Sequence, residues 1–113
     1  MDLEKLLKDM LAAMEKSLKP QWKGAKGFAS GEAKKLAHTL VDIGTMRAAG
    51  EITEDQARLL LDMQKAAARA VLLAVEGIGV VAAEQAMAAA LGVVAAPVNK
   101  ALGFNLLSVG ATT

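Results

Sequence analysis

The chain has 113 residues, 54% hydrophobic, 3% aromatic and 22% charged, with a formal net charge of +1. That length holds one domain with a modest core, and the near-neutral balance gives no overall field to steer nucleic acid or an anionic surface. With no cysteine, disulfides, thiolate catalysis and cysteine-held metals are excluded.

The apolar content is mainly Ala, Leu, Val and Met, with no Tyr, a mixture that favours helix over strand. The start, MDLEKLL, puts acids where a secretory signal needs a basic region, so no export signal is expected. A cytoplasmic location is the expectation that goes with this and with the absent cysteines.

The first helix is predicted over about 2–19. Leu3, Leu7, Met10, Met14 and Leu18 recur in steps of four and three, with Leu6 and Leu11 widening the stripe. Pro20 restricts Lys19 and stops the helix. The next stretch, QWKGAKGFASG, reads as a connection loosened by Gly24 and Gly27. Trp22, Lys23, Lys26 and Phe28 make it a candidate basic-aromatic loop for phosphates or lipid headgroups. The competing reading is a solvated connection whose aromatic residues clip onto the bundle. The spacing fits no nucleic-acid motif, so no specific nucleic-acid partner is expected.

Ser30 is a plausible cap for a second helix over about 31–49, closed by Gly50. The third, about 54–76, opens on Thr53-Glu54-Asp55-Gln56, which fits a capping box. The short link Gly50–Ile52 makes the second and third helices an antiparallel hairpin. Arg58, Asp62, Lys65, Arg69 and Glu76 form one narrow polar stripe on a helix otherwise apolar, so that helix is predicted to be nearly surrounded.

From Ala66 to Val98 the only charges are Arg69, Glu76 and Glu84. These three are candidates for a polar cluster, either buried or at the rim of the bundle, because unpaired charge is costly among apolar groups. Gly77 and Gly79 predict a break, then a fourth helix over about 80–96 ended by Pro97. The alternative is one very long helix across 54–96. Asn99 is placed as the cap of a short final turn. The tail, 104–113, contains Phe104, Leu106, Leu107 and Val109, and its first half is expected to dock while the last four residues fray.

No constellation carries chemistry. His38 is the single histidine and lies among lysines, with Asp42 four residues on. No di-iron set and, within one chain, no two-histidine zinc site can be assembled. A haem site on His38 and a methionine is disfavoured because the methionines lie at helical core spacing, and no nucleophile elbow, phosphate loop or dinucleotide fingerprint is present. No cofactor, metal or enzymatic activity is expected.

The predicted fold is therefore an all-α antiparallel helical bundle of four helices, or three with one very long. The two amphipathic helices cannot cover the whole 66–98 segment, and the remaining patch exceeds what a monomer usually exposes. A homo-oligomer follows, most simply a dimer, with Met87, Leu91, Gly92 and Val94 as interface candidates. The function expected is a helical self-assembly or protein-interaction module, with another helical protein as a further partner. The alternative is a lipid-associated or membrane-inserting protein, or a binder of a small apolar ligand. Membrane insertion is less favoured because no charge-free run reaches the about 20 residues a span needs.

Overall fold

The computed structural model describes residues 1–107, and among them there is no strand. Four α-helices follow in order: α1 (Leu3–Leu18), α2 (Trp22–Ala48), α3 (Glu54–Leu73) and α4 (Val80–Leu102). The all-α class expected from composition is what forms. A single 3-10 turn, Lys19–Gln21, joins α1 to α2 with no longer loop between them. The longest helix is α2, and the 54–96 segment is divided, as Gly77 and Gly79 suggested. Gly77 adopts φ 89° in the connection, a conformation that costs a residue with a Cβ.

The hydrophobic stripe of α1 is fully used: Leu6, Met10, Met14 and Leu18 are buried. Asp2 caps its start by accepting from the Lys5 N–H at 3.2 Å, next to the positive end of the helix dipole. At the other end Pro20 disfavours α geometry at Lys19. Lys19 takes φ 49°, the only positive φ outside glycine among the described residues. The chain reverses there. At one end of the molecule Gly44 of α2 meets both Met1 and Leu102, and a Cβ on it would stand 2.8 Å from Met1 Cε. At the other end Gly77 lies beside Gln21. Sequential helices therefore run antiparallel, with α1 packed chiefly on α4 and α2 on α3, in a body of 42 × 26 × 20 Å.

Two expected boundaries are corrected. The first is the connection Gln21–Gly31: it is helical from Trp22, and Ser30 lies inside α2 rather than at its cap. Gly24, Gly27 and Gly31 face open space, so they take only the intrinsic penalty of about 1 kcal/mol each. Ala25 and Ala29 on the opposite side are fully buried, and the helix they continue offsets that cost through packing.

The second correction is Pro97, which does not end α4 but lies within it. Val93, four residues earlier, and Pro97 are both exposed. The lost hydrogen bond therefore falls on an exposed side of the helix, which limits the cost. The true stop is Gly103, at φ 80° with its N–H on the Asn99 carbonyl at 2.9 Å.

Asn99 is therefore not a cap. Its buried side chain donates to the Leu107 carbonyl at 2.8 Å and accepts from the Leu107 N–H at 2.9 Å. That clamp docks the start of the tail, where Leu106 and Leu107 are buried. Phe104 lies beneath two guanidinium groups, Arg47 and Arg58, each 5.3 Å from its ring centre. Val109 and the last four residues fall outside the described residues.

The α2–α3 corner follows its capping box closely. The Thr53 hydroxyl accepts from the Gln56 N–H at 3.1 Å, and the Gln56 side chain accepts from the Thr53 N–H at 2.8 Å. Arg47 adds a hydrogen bond to the Ile52 carbonyl at 2.9 Å.

Candidate functional site

α3 is apolar on two opposite faces. Ala57, Leu61, Ala68 and Leu72 are buried. Turned about half a circle from them, Leu59, Met63, Ala66, Ala70 and Leu73 are exposed, with Leu59 at 59% and Met63 at 62% of full accessibility. Their steps of four, three, four and three residues are the spacing of a coiled-coil seam. The expectation that this helix is nearly surrounded is corrected: among the described residues nothing covers its outer stripe.

The polar stripe runs along the edge of α3 that meets α4. Arg69 donates through Nη1 to Glu84 Oε1 at 2.8 Å, both side chains being about half exposed, at 49% and 51%. Such a pair contributes little, about 0–1 kcal/mol. The two lie at the rim, beside Asp62, Lys65 and Met87, around a shallow cleft of about 200 Å³. Glu76 does not join them. It is exposed in the connection after α3, and among the described residues it forms no ion pair.

On α4 the side chains of Met87, Leu91 and Val94 are buried in the chain's own core. They are already covered, so they are not surface that a second molecule could meet. Gly92 is half-buried, and a Cβ on it would meet nothing within 4 Å. The outer face of α4 is instead Val81, Gln85, Ala88, Gly92, Val93 and Ala96, with Val81 at 69% exposure. α4 is also long and apolar enough to cross a membrane by length and composition, although 39% of its most apolar window is buried against the rest of the protein.

The basic-aromatic residues lie on a helix rather than a loop. Trp22 packs against the core, while Lys23, Lys26 and Phe28 are exposed. Six residues apart on a helix, Trp22 and Phe28 are rotated by about 240°, so they do not share a surface.

His38 is exposed, and among the described residues no group of three or more His, Asp or Glu side chains could hold a metal ion. One buried charge escaped the sequence reading. Glu32 is almost wholly buried on α2, with Oε2 3.2 Å from the Lys35 ammonium and Oε1 without a partner among the described residues. Its signal was present: Ala25, Ala29, Glu32, Leu36, Leu40 and Ile43 form one inward row, visible once the helix is extended back to Trp22. An open cleft of about 430 Å³ between the start of α1 and the end of α4 is lined in part by Met1, Leu6, Pro97 and Ala101.

Compared with known proteins, the chain matches no family model, no curated protein and no solved structure.

Proposed function

We propose that this protein is a non-enzymatic helical interaction module whose activity is self-association through its bare apolar surface. One observation carries the reading: the seam Leu59, Met63, Ala66, Ala70 and Leu73 lies exposed on α3, opposite the face that builds the core. Scattered exposed leucines need no explanation, but a row at coiled-coil spacing is complementary to another helix. Fully burying a Leu or Met contributes about 1.5–3 kcal/mol, so covering this row is a substantial driving force.

Sedimentation velocity over a range of concentrations tests the reading. A reversible monomer–dimer equilibrium is expected. A chain that remains monomeric up to several hundred micromolar rules the self-association out, and another helical protein then takes the place of the second copy.

A second reading, association with lipid, is favoured by the length of α4 and by its exposed Val80, Val81 and Val93. Flotation with phosphatidylcholine vesicles, with and without phosphatidylglycerol, at low and high salt separates the two. Binding that persists at high salt supports lipid contact through apolar residues, and no binding in any arm removes it.

A further inference from the structure

We propose that the occupant of the α3 seam is the α3 helix of a second copy, running antiparallel about a two-fold axis level with Gln64 and Lys65. The inference rests on the self-association above and specifies its geometry. Two independent patterns select this arrangement.

The first is size. Large and small residues alternate unevenly along the seam: Leu59 and Met63, then Ala66 and Ala70, then Leu73. In the antiparallel register Leu59 faces Ala70 of the second copy, and Met63 faces its Ala66. Each central layer pairs a large side chain with a small one, which is how facing helices fill space evenly. A parallel pair would set Leu59 on Leu59 and Ala66 on Ala66, wide layers next to gaps. Sliding the antiparallel pair by one heptad sets Met63 on Leu73 and Ala66 on Ala70, with the same defect.

The second is charge. One edge of the seam carries Asp62 and, seven residues on, Arg69; the other edge carries Leu60, Ala67 and Ala74. In antiparallel coiled coils like edges meet, so Asp62 faces Arg69 of the second copy, twice by symmetry. In a parallel pair the charged edge meets the apolar one and both charges go unpaired. The slid register sets Arg69 on Arg69. Among the described residues Arg69 uses Nη1 alone, on Glu84, and a guanidinium has further N–H groups to offer. Glu76 lies past the end of α3 at Leu73, and Asp55 is met by Arg58 at 3.5 Å, so neither extends the row.

The absence of cysteine makes the test direct. In the proposed pair the two copies of residue 59 are separated along the axis by about 16 Å. Under mild oxidation Leu59→Cys alone should therefore stay unlinked, whereas an equimolar mixture of Leu59→Cys and Ala70→Cys chains should give a covalent heterodimer. Asp62→Arg should weaken association by about tenfold or more, and adding Arg69→Asp should restore most of it. The exposed Arg69–Glu84 pair is too weak for its loss to unfold the chain.

Leu59→Cys homodimers would show a parallel pair and overturn the geometry while self-association stands. A dimer that links in neither experiment places the contact elsewhere and overturns it as well. A monomer by sedimentation removes both this inference and the reading beneath it.

Discussion

α1 turns Leu6, Met10, Met14 and Leu18 into the core and leaves Glu4, Lys8, Glu15 and Lys16 to water. α3 buries Ala57, Leu61, Ala68 and Leu72 and leaves Leu59, Met63, Ala66, Ala70 and Leu73 to water. Both rows have helical spacing, yet the polar side of α1 lies opposite its buried row and marks it, whereas the polar stripe of α3 runs along an edge between its two apolar rows and marks neither. Two of the four inward residues of α3 are alanine, which lets α2 and α4 approach closely, while its outward row holds bulky side chains at both ends. A helix of this kind serves one core within the chain and offers a second seam beyond it.

The sharpest way to break that comparison is to truncate one methionine on each helix. Met14→Ala removes a side chain with no exposed surface and should cost about 2–5 kcal/mol. Met63→Ala removes one that is mostly exposed and should change the stability of the monomer by less than about 0.5 kcal/mol. Urea denaturation at low micromolar concentration measures both. Equal losses would mean that Met63 is not on an open face. A loss for Met63→Ala that grows with protein concentration would instead sharpen the comparison, because a dimer stabilises the fold by mass action.

The same contrast explains what could be foreseen. The limits of α1 followed from a one-sided stripe and a proline, and the start of α3 from a capping box. Those signals are local, and local geometry decides them. The start of α2 was hidden because Gly24 and Gly27 carry loop propensity, and only the burial of Ala25 and Ala29 against neighbouring helices outweighs it. Pro97 misled for a related reason: its missing N–H costs least on an exposed side, and exposure is a tertiary property. The outer row of α3 was visible as apolar residues, but nothing in a doubly apolar helix says which row the chain itself will cover. For α4 the same ambiguity put Met87, Leu91 and Val94 on the wrong side of that choice.

A smaller effect is expected where each helix begins. Thr53→Ala removes one half of the reciprocal hydrogen bonding at the start of α3 and should cost about 1 kcal/mol. Asp2→Ala at the start of α1 breaks a single bond at a chain end that is already exposed, so it should cost less. Thermal unfolding of the two variants side by side checks the order. The reverse order would show that the entry of α1 is the more tightly held of the two.

A further effect, stabilising at one of the two positions, is expected where the helices end. α3 leaves through a connection in which the positive φ falls on a glycine, Gly77, whereas α1 leaves through Lys19 at φ 49°. Pro20 disfavours the α region at Lys19, and a side chain held in a sparsely populated region costs about 1–3 kcal/mol. Lys19→Gly removes that cost. Against it stand the greater freedom of glycine in the unfolded chain, about 0.5–1 kcal/mol, and a few tenths of a kcal/mol, roughly 0.3, for a cation lost near the helix end. The net gain should be about 1 kcal/mol or less, visible as a higher urea midpoint with an unchanged slope. Gly77→Ala should move the midpoint the other way by a similar amount. If Lys19→Gly lowers the midpoint, the reversal between α1 and α2 is held by the lysine side chain rather than strained by it.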